Sequence, residues 1–473
     1  MKKLCTVLGL LLVLTALLAP VVFAAEGGDA PVVEPPKIDT GDTAFVMLCA
    51  ALVMLMTPAL AIFYGGMVRT KNVLSTIMQS FICLGIVSIQ WALFGYSLAF
   101  GPDVNHIIGS LDWMGLNTVG VDPNVDYSAT IPHLAFMIFQ GMFAFITPAI
   151  ISGSVAERVK FPAYLAFILL WATFVYDPVA HWVWGVGGWL RDLGVLDFAG
   201  GTVVHIISGV SGLVFAIMIG KRKGYGSEAM VPHNLPLTVI GAALLWFGWF
   251  GFNAGSALGA NGTALTAFVT THMAAATATV FWVIAEWLHH GKPTILGAAS
   301  GCLAGLVIIT PAAGFVSSMS SIIMGAIGGT ACYFSVAVMK TKLGYDDSLD
   351  AFGIHGFGGT LGAILTGFFA SKEINSAGAD GFFYGNPEQV LYQLAGVATS
   401  WIFAAVVTFI IVKVVGLFLQ IKADPDEEVQ GIDLIEHGER GYAHQDIAVG
   451  SPLNFLSNTA SSQSAVVKKT TLA

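Results

Sequence analysis

Two histidines stand in segments that carry almost nothing else polar, and each is followed by glycines at the same offsets: His205 by Gly209 and Gly212, His355 by Gly359 and Gly362. Near neutral pH an imidazole is both donor and acceptor and can pass a proton. Ionisable groups in apolar surroundings are costly and commonly mark a path for ions or protons. A lone buried histidine can equally be a packing residue, and His272, which has no counterpart, keeps that reading. The pair gains weight because a second motif repeats beside it, Ile146-Thr147-Pro148-Ala149 recurring as Ile309-Thr310-Pro311-Ala312. The neighbouring residues are phenyls, methyls and glycines with almost no fixed charge. Such a wall suits a small neutral molecule or a relayed proton, and not a bare metal ion, which wants carboxylates or rings of carbonyls.

The elements that position these residues follow from composition. Of 473 residues, 56% are hydrophobic and 10% charged, against roughly 25% charged in a soluble domain. Most of the chain must face lipid. The formal charge of −9 comes without the basic patch that nucleic-acid binding needs. Residues 1–24 read as a signal peptide, with Lys2 and Lys3 ahead of an apolar run and small residues at its end; a twelfth membrane helix is the alternative. Cys49, Cys83, Cys302 and Cys332 lie in apolar runs without metal spacing and read as small core residues.

A helix needs about 20 apolar residues to cross a ~30 Å hydrocarbon core. Eleven segments qualify: 43–67, 73–100, 133–153, 161–180, 200–220, 237–257, 265–287, 294–310, 315–340, 351–370 and 390–420. Alternate loops hold Arg69, Lys71, Arg158, Lys160, Lys221, Arg222, Lys223, Lys292, Lys340 and Lys342, so these face the cytoplasm. The mature N-terminus then lies outside and the tail inside. The repeated motifs relate span three to eight and five to ten. A five-helix unit crosses an odd number of times, so its second copy is inverted, the plan of many transporters, with the substrate path between the copies. His205 lies eight residues past Asp197, ~12 Å along a helix. The inverted copy brings His355 toward it from the other face. The expected fold is an all-α polytopic membrane protein of eleven helices. Residues 25–42 precede the membrane domain 43–421, with halves 43–220 and 237–370 and a last helix 390–420; the tail is 422–473.

Four stretches carry a resemblance: Asp197-Phe198-Ala199-Gly200-Gly201-Thr202-Val203-Val204-His205, Trp249-Phe250-Gly251-Phe252-Asn253-Ala254-Gly255-Ser256, Phe139-Gln140-Gly141-Met142-Phe143-Ala144 and Asp350-Ala351-Phe352-Gly353-Ile354-His355-Gly356. With them the chain resembles the ammonium transporter, methylammonium permease and Rh family, in its bacterial branch, from about Thr43 to His444. The resemblance implies an outer recruitment site of Phe143, Trp184 and Ser256. It implies a stacked gate of Phe143 and Phe252 with Phe139 nearby, and a pore past Trp249, His205 and His355. Cation–π attraction would hold a partly dehydrated ammonium there; from its position alone Trp184 would be an interfacial anchor. Asp197 is expected to cap span five, worth ~1 kcal/mol, and by resemblance to keep the outer site in shape. Thr310 and Asp350 are expected as supporting residues, with helix-end packing an equal reading for Thr310.

The same resemblance implies an inner-membrane homotrimer, with the tail packed beneath neighbouring subunits and a PII-type regulatory protein at the cytoplasmic mouths. It implies no metal or cofactor. Ammonia could pass alone, a passive channel, or with its proton relayed, which moves charge. A neutral-gas channel of the Rh kind and an ammonium receptor are the rivals; the roughly 50 residues after Lys422 are few for a signalling domain. No nucleophile–base pair or cofactor loop points to an enzyme. The Ser-, Thr- and Ala-rich end past Gln445 is expected to be disordered.

Overall fold

Ten helical runs are long and apolar enough to cross a membrane in the computed structural model, which describes residues 37–442. The expected leader 1–24, most of 25–42, Cys5 and the chain end past Gln445 lie outside the described residues. In chain order the helices are α1 (Thr40–Met67), α2 (Thr70–Phe100), α3 (His133–Val155), α4 (161–184), α5 (Gly201–Ile219), α6 (Leu235–Gly255), α7 (Gly262–His290), α8 (Ile295–Ile309), α9 (Ser318–Leu343), α10 (Phe352–Phe369) and α11 (Glu388–Phe418). The chain is an all-α, multi-pass membrane protein. Helix α8 has 15 residues, ~22 Å, and stops short of a full crossing because Thr310 and Pro311 end it in a buried turn.

Helix starts follow the local chemistry. Asp39, Asn234, Asn261, Thr294 and Ser317 each accept a backbone N–H in the first turn of the helix they precede, satisfying donors that lipid cannot. Packing then relies on small residues, because lipid tails are as apolar as leucine and do not drive helices together. Gly301 and Gly305 of α8, and Gly325 and Gly329 of α9, press against the backbone around Ala274 and Ala278 of α7. Gly241, Gly248 and Gly251 of α6 do the same against α1.

The repeat is visible in the backbone. Wide π-turns occur at 172–176 in α4 and 335–339 in α9. They recur at 201–206 in α5 and 352–356 in α10, again five helices apart. Each histidine sits in one of the second pair, and the helices cross there with backbones touching. A Cβ on Gly209 would strike the backbone at Gly356, while one on Gly359 would lie 2.9 Å from His205 Cβ. Gly212 lies against Ser154 of α3, and its counterpart Gly362 against Ile308 of α8.

The basic loops gather at one end. There Glu157 pairs with Arg69 at 2.8 Å and Arg222 at 3.1 Å, and Asp346 pairs with Arg222 at 2.7 Å. Burial works to raise both carboxyls, but the guanidiniums outweigh it and hold them below their ordinary values. The tail's described part bonds back to the helix starts and loops above it. Asp433 accepts the Leu74 and Ser75 amides at 3.0 and 2.7 Å, Glu436 the Phe161 amide at 3.0 Å, and Glu428 the Lys223 amide at 2.7 Å. It packs beneath its own membrane domain.

Two outcomes follow. Gly209→Val and Gly359→Val each lower stability by about 1–3 kcal/mol through overpacking, read as a lower thermal midpoint in detergent, whereas Gly85→Val, with open space around it, leaves it unchanged. Because the Glu157 and Asp346 values are depressed on folding, their contribution is complete above the ordinary carboxyl values near pH 4 and is lost as pH falls below them. Hydrogen exchange in the 156–160 and 344–350 loops should rise at that point, and Glu157→Gln should shrink the acid-induced part of the rise.

Candidate substrate pathway

The pathway is built downward from Asp197, between α4 and α5. Its Oδ1 accepts the Gly200 and Gly201 amides at 2.8 and 2.7 Å, and its Oδ2 those of Thr202 and Val203 at 2.7 and 3.2 Å. Four donors at the start of a helix meet one carboxylate, a far stronger cap than a single side-chain bond. Gly200, at φ +114°, makes the turn that aims them. In the inverted copy the equivalent is Asp347, also eight residues before its histidine, whose Oδ2 accepts the Phe352 amide at 2.8 Å. Burial pushes both carboxyls up; the amides at Asp197 and the Lys340 charge at Asp347 pull the other way. Asp350, the supporting residue expected from the sequence, pairs with Lys340 at 2.6 Å, the same cation whose charge acts on Asp347. The offset of eight was legible in the sequence, but three aspartates lie within five residues and only geometry selects among them.

Above Asp197 an outward-opening cavity of about 650 Å³, open solvent included, is lined by Phe143, Trp184 and Ser256 together with Gln140, Asp126 and Arg191. Trp184 is half-buried; its indole N–H donates to the Asp197 carbonyl at 2.9 Å, which turns the ring edge-on to Phe143 at 5.8 Å and 85°. Ser256 donates to the Phe252 carbonyl at 2.9 Å, so its oxygen keeps lone pairs for a donor in the cavity. Gln140, Asp126 and Arg191 were not singled out by spacing, because they arrive from separate loops and helices.

Beneath the cavity Phe143 and Phe252 close the way, with ring centroids 4.3 Å apart. They are inclined at 41° and not stacked in parallel. Phe139 packs behind Phe143 at 5.1 Å, its ring against Gly255. Below them His205 stacks on Phe252 and on Trp249, at 6.0 and 5.4 Å. Trp249 donates to Thr310 Oγ1 at 2.9 Å, and the Thr310 hydroxyl in turn donates to the Leu306 carbonyl at 2.8 Å. Thr310 therefore holds the indole plane that holds the imidazole.

The two histidines meet Nδ1 to Nδ1 at 3.2 Å, both buried. One ring must donate and the other accept, so the pair carries at most one proton between those atoms, and His205 Nε2 has no hydrogen-bond partner. The void beside them has room for about one water-sized molecule and is lined by Leu60, Ile146, Val204, Trp249, Phe252 and Leu303 among others. His272, by contrast, is exposed on the helix surface, its ring tilted at 31° to that of Trp246 at 5.4 Å.

Residues 44–442 match the model of the Ammonium Transporter Family. The chain is 58% identical over 402 residues to an ammonium transporter of Bacillus subtilis, covering 85% of this chain and 98% of that one. It is 48% identical to an ammonium transporter of Aquifex aeolicus over 86% and 94% of the two chains. Among solved structures it is similar to Saccharomyces cerevisiae Mep2, with a TM-score of 0.77, 36% identity and coverage of 82% and 88%. It is also similar to a sensor Amt protein, with a TM-score of 0.78, 28% identity and coverage of 84% and 98%. With nearly the whole described chain matched in both sequence and fold, this protein belongs to the ammonium transporter family.

Proposed function

We propose that the protein carries ammonium across the inner membrane by recruiting the cation at Phe143, Trp184 and Ser256, removing its proton, and conducting ammonia past the twin histidines. The observation that carries this reading is the Nδ1–Nδ1 contact of 3.2 Å in a passage otherwise walled by rings and aliphatic side chains. A hydrated K⁺ or Na⁺ would have to shed water against phenyl faces that return nothing comparable. Ammonium loses less, because ring faces give it roughly 0.5–2 kcal/mol and its proton can leave. The histidine whose Nδ1 accepts carries Nε2–H, and its partner the reverse. Between them they offer one donor and one acceptor to ammonia, and exchanging those roles moves a proton along the pair. Asp197 keeps the outer site in shape and places negative charge beneath the cation. The assembly proposed is a homotrimer with one pore per subunit. A PII-type protein would dock at the cytoplasmic mouths, whose rim the docked tail stiffens.

The second reading, an ammonium receptor signalling through that tail, draws on the similarity to the sensor structure. A passive ammonia channel is the third. One experiment separates them: the purified protein in liposomes, pulsed with ammonium, beside empty liposomes and His205→Ala. The expected result is a saturating ammonium-dependent current that His205→Ala reduces or alters in character. An internal pH rise faster than in empty liposomes, without current, means passive ammonia. Neither signal sinks the transport reading and brings the receptor forward.

Recruitment has its own check. Trp184→Leu should raise the half-saturating ammonium concentration about 2- to 30-fold, the range of one cation–π contact, and Ser256→Ala by less.

A further inference from the structure

Behind the outer mouth lies a histidine–aspartate contact that the pathway itself does not touch. His181 sits on α4, three residues before Trp184, and its side chain is fully buried. Its Nε2 is 2.9 Å from Asp103 Oδ1, and its Nδ1 is 3.1 Å from the Ala99 carbonyl. A carbonyl cannot donate, so the Nδ1 contact needs a hydrogen on Nδ1. Asp103 also accepts the His106 amide at 3.1 Å. Burial works to raise the Asp103 carboxyl, but the His181 ring and that amide outweigh it and hold it below the ordinary carboxylate range. An ionised carboxylate cannot donate to Nε2 either. The ring meets both neighbours only with a hydrogen on each nitrogen.

The loop that leaves Trp184 is moulded on this pair. A Cβ on Gly185 would lie 2.6 Å from His181 Nδ1, and one on Gly187 would lie 2.7 Å from Asp103 Cβ. One on Gly188 would strike the His181 carbonyl. His106 Nδ1 faces the Gly187 carbonyl at 2.6 Å, and the His106 ring also stands 3.7 Å from Asp192. Arg191, on the turn that follows the loop, donates to the Trp184 carbonyl at 2.8 Å. Tyr127, whose hydroxyl accepts the Val186 amide at 3.2 Å, joins Asp103, His106, Asp192 and Arg191 as the charged or titratable groups around the pair and its loop.

We propose that His181 and Asp103 form an imidazolium–carboxylate clasp that positions Trp184 and the 185–188 loop, making both positioning residues for cation recruitment. The proposal rests on the recruitment role given above to the outer cavity. It explains why a fully buried histidine stands one helical turn from the aromatic residue that a cation would meet, with glycines at the three loop positions where a side chain would collide.

Two measurements test it. In membranes containing ¹⁵N-histidine protein at neutral pH, the His181 ring, assigned by its loss in His181→Gln, should show both nitrogens protonated; a neutral ring overturns the clasp. In the liposome assay Asp103→Asn, which keeps the shape and removes the charge, should raise the half-saturating ammonium concentration about three- to tenfold, up to ~1.4 kcal/mol of lost positioning. The maximal current should stay within about twofold, and Asp103→Glu should recover part of the affinity. In a Trp184→Leu background Asp103→Asn should add little, because it acts through Trp184. An unchanged affinity, a fall in maximal current alone, or an equal effect without Trp184 overturns the positioning role. A wild type silent to ammonium overturns the transport reading and the recruitment role with it, while the nitrogen spectrum still decides the charge of the pair.

Discussion

The contact on which the rest depends is the crossing of α5 and α10, where two helices meet so closely that backbone touches backbone. Gly209 and Gly359 permit it, each lying against the other helix beside its histidine. Only at that approach can two imidazoles share one hydrogen at 3.2 Å. In lipid such a contact has no water to replace it, so a looser crossing would leave two polar rings unsatisfied in an apolar passage. The π-turns at 201–206 and 352–356 belong to the same solution, since widening a helix re-aims the residue within it.

Around that crossing the two halves have been put to different use. On the outer side one carboxylate, Asp197, gathers four amides and lends its carbonyl to Trp184. On the inner side Asp347 takes the Phe352 amide and leaves one buried oxygen without a partner. The outer end is the more tightly built, and it is the end that opens into the aromatic cavity. Beneath it a relay of contacts, Leu306 to Thr310 to Trp249 to His205, ties the orientation of that imidazole to the end of α8. The Thr-Pro-Ala motif thus bears on the chemistry without touching the passage.

The end that carries the basic loops is held by charge instead of by small residues. Glu157, Asp346, Arg69 and Arg222 join loops from both halves, and the tail is laid across them with Asp433 and Glu436 closing the starts of α2 and α4. Burying such charges costs desolvation that offsets much of their mutual attraction. They fix where the inner ends of the helices stand relative to one another.

What the sequence determined alone was the part governed by local chemistry. Long apolar runs can only be helices in lipid, basic loops assign the sides, and His205, His355 and their glycines stand at equal offsets because an inverted repeat places them so. What it could not determine were the partnerships between distant segments. Asp347 and Asp350 are equally plausible caps when read along the chain, and only the turn at 347–352 selects the first. His181 reads as one more polar residue in a Trp-rich stretch until α2 brings Ala99 and Asp103 against it. The tail's own contacts, its acids on the free amides of α2 and α4, likewise appear only in the fold. In each case the deciding quantity is whether a buried donor meets an acceptor within about 3 Å, a distance set by helix packing and invisible to spacing along one chain.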